Sequence, residues 1–418
     1  MNQPRPVPLG LKKSFGFGDR LGLATPGHLA AVRSTDFAPI FAQQSIREMT
    51  RTARTPREVM SAAQAALARA GFSQPWGADA DHLKTEADVR LTAAEGFTFF
   101  TIDPSAHVVN EADRFDESRL RDAVATLERD GVVERGHWQE SYLDRDFAVE
   151  GTAPLRFDRQ SLWRAAVKYG RAIAHTAQMA GWIQSACAGR PFEIEVSVDE
   201  TDSPTSPLEH LFYGLELKRR GVRIVSLAPR FIGEFEKGID YRGDLRAFEA
   251  SLARHVAIAR FCGPYKLSIH SGSDKFSVYP VIGRLCGELL HVKTAGTSYL
   301  EALRVVARTQ PPLFAAIVEY SRGRFAEDRR SYHISTTETE IAALPRFTGR
   351  HEEAAYLDER AGRQLLHVTF GSVLTVGTDG RGRRFKDAIL ETLARHADLH
   401  LELLQAHFSR HLSLLTQG

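Results

Sequence analysis

Cysteine is scarce: Cys187, Cys262 and Cys286 are the only three in 418 residues, and their spacing forms no CxxC pair. So sparse and odd a set fits reduced thiols in the cytoplasm better than a secreted disulfide framework. No stretch approaches the ~20 uncharged apolar residues of a membrane span. The opening MNQPRPVPLGLKKSFGFG lacks the apolar core of a secretory signal. A soluble cytoplasmic protein is therefore expected. Net charge is missing too: +2 overall, without the basic face of a nucleic-acid binder. The densest basic run, Arg381, Arg383, Arg384 and Lys386, reads as a solvated helix start or loop. There is no internal repeat, low-complexity tract or Ser/Gly linker. GxSxG, Walker A, HExxH and EF-hand patterns are absent, which argues against serine hydrolase and P-loop chemistry. Gly16, Gly18 and Gly22 make GxGxxxG, not the dinucleotide fingerprint, and read as close backbone packing in a first strand.

What is present describes a packed enzyme. Hydrophobic residues make up 43% and charged residues 25%, the balance of a globular protein with a core. Candidate strands fall at 14–25, 72–82, 96–103, 192–200, 222–231, 266–272, 289–296, 331–336 and 365–374. Helical segments lie between them, such as 56–71, 207–220 and 244–261, and a charged, largely helical stretch runs over 112–190. This alternation argues for a parallel sheet. About eight strands over this length favour a (β/α)8 TIM-type barrel. The expected organisation is one α/β barrel domain, 1–418, with a helical insertion or subdomain at 105–190.

Reactive side chains gather where these runs end: Asp81 and His82, Asp103, Asp199 and Glu200, Arg230, His270, Lys293 and His333. In a barrel the C-terminal strand ends face one pocket. WGADADHLKT, 76–85, is the densest stretch, although a solvated loop is the plain alternative. On a regular strand Asp81 and His82 point to opposite faces. Both reach a pocket only if the chain bends there.

In VSVDETDSPTSPLEH, 196–210, Thr205 or Ser206 is expected to cap a helix with Pro207 in its first turn, leaving Asp199 and Glu200 at the strand end. HSGSDKFS, 270–277, offers Ser271 and its neighbours as backbone donors, Lys275 as a carboxylate partner and His270 as a metal ligand. A lone His is usually structural. Here His82, His291 and His333 also sit on strands or strand ends, which favours a ligand role. APRFIGEFEKGIDYRGD, 228–244, is strongly polar, with a solvated loop as an equal reading. In HVKTAGTSYLEAL, 291–303, Lys293 suits anion binding better than Schiff-base chemistry, and Thr297 or Ser298 is expected to cap the next helix. His, Asp and Glu without a Cys pair point to a divalent ion held by N and O ligands: Zn, Mn, Co or Ni.

Taken in series, FGFGDRLGLATPGH, WGADADHLKT, EVSVDET with PTSPLEH, APRFIGEFEKGIDY, HSGSDKFSVYP and HVKTAGTSYLEAL resemble the tagaturonate epimerase family. The likeness runs over 14–375 and is weakest across 105–190 and at the C-terminus. It implies a divalent-metal-dependent enzyme of hexuronate breakdown that interconverts D-tagaturonate and D-fructuronate. Some relatives act on the neutral ketohexoses tagatose and fructose.

The chemistry of that reaction narrows the mechanism. The two sugar acids differ at one hydroxyl-bearing carbon, β to the ketone, whose C–H is not acidic. Oxidation and reduction with NAD is one route, and no fingerprint supports NAD. Retro-aldol cleavage is the other. A base takes the hydroxyl proton, the C–C bond breaks, a metal stabilises the enediolate, and the aldehyde turns and is attacked on its other face. With the resemblance, this makes His82 and His270 expected metal ligands, Glu236 a third and His291 its rival. Asp81 is expected as general base and Glu200 as general acid. Arg230, Lys275, Ser271 and Lys293 are expected substrate contacts, the first two for the carboxylate or hydroxyls. The expected partner is a small sugar acid or ketose, with no nucleic acid or membrane, and homo-oligomerisation is left open. A metal-dependent aldolase or ketose 3-epimerase on the same fold is the competing expectation.

Overall fold

The computed structural model describes residues 3–417. Its central feature is a closed barrel of parallel strands: β1 (Ser14–Gly18), β2 (Ala38–Ser45), β3 (Gly77–Leu83), β4 (Phe99–Ile102), β5 (Glu193–Val198), β6 (Ser226–Pro229), β7 (Lys266–Ile269) and β8 (Leu290–Thr294). Each strand pairs with its neighbour in the chain, and β1 closes onto β8 with Gly16 opposite Lys293. The expected barrel is therefore present, as are seven of the expected strands in shortened form.

Two expected strands are not strands. Residues 331–336 form a short 3-10 turn and irregular chain, and 365–374 lie inside the helix Arg360–Thr375. LLHVTFGSVL is a continuous apolar run, which reads equally as strand or buried helix. Packing on the helix Pro311–Asp328 decides for helix. The missed strand is β2, APIFAQQS, whose early Pro39 and paired glutamines disguise it.

Capping residues set the helix starts. Thr55 with Glu58, Thr85 with Asp88, and Ser206 with Glu209 form reciprocal capping boxes. The helix Thr297–Thr309 starts instead on Gly296 with no side-chain cap. Thr297 and Ser298 turn inward, Ser298 to the Gly18 carbonyl at 2.8 Å. A Cβ at Gly18 would lie 2.6 Å from the Thr294 oxygen, so β1 and β8 approach closer there than a side chain allows.

The segment between β4 and β5 contains the helices Glu117–Arg129 and Arg159–Cys187 and a short hairpin, Asp146–Phe147 with Leu155–Arg156. Buried Lys168, 3.0 Å from Asp113 and 2.9 Å from Glu209, ties it to the helix Pro207–Arg219. The barrel and its surrounding helices share one apolar core. The helices after β8 build a second around Leu303, Phe314, Phe325, Leu365 and Phe370. All three cysteines are free and buried. Among the described residues no helix is long and apolar enough to cross a membrane.

Candidate active site

Alternate residues of each strand face the barrel axis, and here the upper interior is charged. Asp79 and Asp81 come from β3, Thr101 from β4, Glu195 from β5 and Lys293 from β8. Lys293 Nζ lies 2.7 Å from Asp79, 2.8 Å from Asp81 and 2.8 Å from Glu195, and donates to Thr101 Oγ1 at 2.6 Å. The next residue up the wall breaks the alternation. Pairing of β3 with β4 shifts register between Ala80 and Leu83, and His82 takes φ +54°, the left-handed region rarely used outside glycine. This bend turns His82 to the same side as Asp81.

Asp81, His82, His270 and Asp199 converge at the mouth. His82 Nδ1 is 2.8 Å from Asp81 Oδ1, and the His82 and His270 rings are 5.0 Å apart. His270 Nε2 meets Glu195 Oε1 at 2.8 Å. Asp199, just beyond β5, presents Oδ1 3.4 Å from His270 Nδ1 and 3.8 Å from His82 Nε2. Ser197 Oγ donates to Asp199.

The charges do not balance. Four carboxylates, Asp79, Asp81, Glu195 and Asp199, face one lysine and two imidazoles. Burial disfavours both imidazolium ions, yet Asp81 and Asp199 hold His82 well above its ordinary pKa, and Asp199 and Glu195 bring His270 up to about 9. Burial lifts Asp79 to about 7 against the pull of Lys293. Burial also opposes the charge on Lys293, but its carboxylates hold its pKa above the ordinary value. A site this acidic takes up cations, either protons on the imidazoles or a metal.

The donor atoms suit a metal. Ligand atoms of Asp81, His82 and His270 lie within 4.8 Å of one another. N and O ligands about 2.1 Å from a divalent ion stand roughly 3–4 Å apart. His82 Nδ1 is buried and makes no hydrogen bond of acceptable angle, despite its closeness to Asp81. Imidazole and carboxylate lie side by side, as two ligands of a common centre do. These residues fit a divalent ion. A cavity of about 360 Å³ opens above them, lined by Asp199, Glu200, Arg230, Lys237, His270 and Ser271 among others.

A family model described as tagaturonate epimerase matches residues 1–415. The chain belongs to the tagaturonate epimerase family. A Thermotoga maritima protein described as tagaturonate/fructuronate epimerase is 44% identical over 405 residues, 96% of this chain and 82% of that protein. Native and glycerol-complexed crystal structures of fructuronate-tagaturonate epimerase from Cohnella laeviribosi superpose with TM-score 0.91. Both are 41% identical and cover 98% of this chain and 83% of theirs.

Within this epimerase fold the expected site residues separate. Asp81, His82, His270, Ser271, Glu200 and Arg230 meet at the mouth, and Glu200 stands at the rim 3.4 Å from Arg47. Five expectations need correction. Glu236 is not with the ligands: Arg242 at 2.8 Å, the Ser335 amide at 2.7 Å and Gln364 at 2.8 Å occupy its carboxylate, which pins the loop after β6. His291 lies a layer lower, 2.9 Å from Ser14 Oγ, where burial drops its pKa to about 3. Lys275 is fully buried and donates to the carbonyls of Glu236, Ser273 and Ile239, so it staples a loop rather than meeting a substrate. Lys293 sits beneath the mouth, spent on three carboxylates. His333 is exposed and pairs with Glu234 at 2.7 Å.

Sequence reasoning missed Glu195 and Asp79 as parts of the centre, and Lys237 in the cavity wall. A signal was present for the first two. Asp79 and Asp81, like Glu195, Ser197 and Asp199, are spaced by two and share a strand face.

A second group, Asp274, His407 and His411, also brings its ligand atoms within 4.8 Å. Its atoms are taken. Asp274 Oδ2 accepts from Arg363 at 2.6 Å, and Thr297 Oγ1 is 2.6 Å from His407 Nε2. His411 Nε2 accepts from the Asp274 amide at 3.0 Å, and its Nδ1 donates to the His407 carbonyl at 2.9 Å. This group clamps the C-terminal helix Ala397–Thr416 to the loop after β7.

Proposed function

We propose that this chain interconverts D-tagaturonate and D-fructuronate through retro-aldol cleavage and re-addition, with a divalent ion held by Asp81, His82 and His270. The observation that carries the reading is that triplet, with His82 Nδ1 side by side with Asp81, surplus carboxylates around it and His270 lining a cavity, in a chain of this family. The Thermotoga and Cohnella proteins, described as epimerases of this pair of sugar acids, support the choice of substrate. We also read the chain as one barrel domain with 105–190 as its insertion.

A bound divalent ion supplies Lewis-acid stabilisation of negative charge at the ketose oxygens, worth several kcal/mol. The remaining tasks fall to side chains. Asp199 touches both imidazoles and lines the cavity, which suits it to remove the hydroxyl proton on the epimerising carbon. That position supports Asp199 as the base in place of Asp81, whose carboxylate lies between His82 and Lys293. Glu200 at the rim is suited to carry a proton at the other end of the reaction. Glu195 fixes the His270 ring through Nε2, and Lys293 fixes Asp81 and Glu195 together. Arg230 and Ser271 offer donors to substrate hydroxyls. Cavity walls must hold both fragments while the aldehyde turns.

Proton NMR of purified protein with D-tagaturonate tests the proposal. Fructuronate should appear, without free three-carbon fragments and without solvent deuterium next to the ketone. Accumulating fragments would mean an aldolase, and deuterium at that carbon a 3-epimerase.

A further inference from the structure

The floor of the cavity is anionic, but one wall is not. Among its cations, Arg47 faces Glu200 at 3.4 Å and His333 faces Glu234 at 2.7 Å. Arg230 is turned along the rim and donates to the Thr201 carbonyl. Lys237 is different. Its Nζ donates to Ser271 Oγ at 2.6 Å, a neutral partner, and among the described residues no carboxylate forms an ion pair with it.

Its backbone is held firmly. The carboxylate of Glu236 on one side is fully engaged, Gly238 on the other takes φ +72° against His367, and Gln364 donates to the Lys237 carbonyl at 3.3 Å. Carboxylates behind this wall are spent on other cations, Glu48 on Arg20 at 3.0 Å and Asp274 on Arg363 at 2.6 Å. A half-buried ammonium thus projects into the cavity beside Ser271, the residue directly after His270.

We propose that Lys237, oriented by Ser271, binds the carboxylate end of the hexuronate and makes the site select uronates over neutral ketoses. The inference rests on the epimerase reading and deepens it. In a hexuronate the carboxylate lies two carbons from the epimerising carbon, so a substrate engaged at the anionic floor extends its acid group toward the wall. There an uncompensated ammonium beside a hydroxyl gives a carboxylate a charge-assisted hydrogen bond, which the hydroxymethyl group of a ketohexose cannot match. Lys237 is a specificity residue, hydrogen-bonded to the residue that follows His270 rather than part of the ion site itself.

Lys237→Met and Lys237→Arg test this, with D-tagaturonate as substrate and D-tagatose as competitive inhibitor. Lys237→Met should raise KM for tagaturonate about 10- to 100-fold, the worth of a hydrogen bond to a charged group. The loss should fall on KM more than on kcat, with the tagatose inhibition constant within about twofold of wild type. Lys237→Arg should recover most of the affinity. An unchanged KM would overturn the inference, as would an equal rise in KM and in the tagatose constant, since that marks a disturbed loop. Wild-type protein that leaves tagaturonate untouched overturns the epimerase reading and this inference with it. Wild-type turnover with an insensitive Lys237→Met overturns the inference alone.

Discussion

Asp81, His82 and His270 form one cluster of ligand-type side chains, and Asp274, His407 and His411 form another, with donor atoms within 4.8 Å of one another in both. In the second, arginine, threonine and backbone partners meet every buried side-chain nitrogen and oxygen. In the first, His82 Nδ1 has only the Asp81 carboxylate beside it, at 2.8 Å and poorly aligned, and carboxylates outnumber the fixed cation. Composition and proximity are thus shared by a candidate ion site and a structural clamp. What separates them is how the donors are occupied: arginine, threonine and backbone groups fix those of the clamp, whereas in the candidate site carboxylates and imidazoles face mainly one another, and a buried cluster of that kind persists where a cation completes it.

The sharpest way to break this comparison is to remove a ligand from each side. His82→Ala or His270→Ala should lower kcat/KM for tagaturonate by about 10³-fold or more, the loss of a Lewis acid worth several kcal/mol. Metal content, read by elemental analysis, should fall with activity. Asp274→Asn should leave metal content unchanged and instead cost roughly 3–5 kcal/mol of stability in denaturant unfolding, the penalty of breaking a buried ion pair. A loss of metal from Asp274→Asn with unchanged stability would reverse the two roles.

Much of the first cluster was legible in the sequence, and the reason is local. DADH and HSG lie at the ends of strands with clear β patterning, so Asp81, His82 and His270 were visible as strand-end residues. The bend that turns His82 inward, a left-handed φ with a register shift, has no signature in the local sequence, which requires it without specifying it. Glu236 and Lys275 were misplaced because loops after strands leave side-chain direction open. Here one carboxylate turned toward Gln364 and one ammonium toward three carbonyls. The clamp was illegible for another reason. His407 and His411 sit 4 apart on one helix, but their aspartate comes from a loop 137 residues away, counted from His411. LLHVTFGSVL resembles a strand because an apolar run has no period to betray a helix buried on most sides.

Smaller effects sharpen the contrast. Glu195→Gln keeps the shape but weakens the hold on His270, and should cost about 10- to 100-fold in metal affinity, measured by competition with a chromophoric chelator. No such loss would mean that Glu195 does not orient the ring. The last effect is in pH, and it comes from histidines outside the site. Burial keeps His28, His291 and His411 neutral with pKa about 3, and His255 about 4. In the unfolded chain each titrates near 6.5. Between those values the unfolded state binds more protons, so stability rises with pH and is lost on acidification below about 6.5, at on the order of 1 kcal/mol per pH unit per group. Unfolding midpoints taken from pH 7 to 4 should fall accordingly, and His411→Gln should flatten the slope. A slope unchanged in that variant would show that His411 is not held neutral.

The most direct measurement pairs a metal count with turnover of D-tagaturonate in wild type, His270→Ala and Asp274→Asn, before and after chelation and metal return. The account predicts one divalent ion per chain in wild type and Asp274→Asn and none in His270→Ala, with turnover lost on chelation and regained on readdition. Full turnover by metal-free wild type, or an ion retained in His270→Ala and lost from Asp274→Asn, would contradict it.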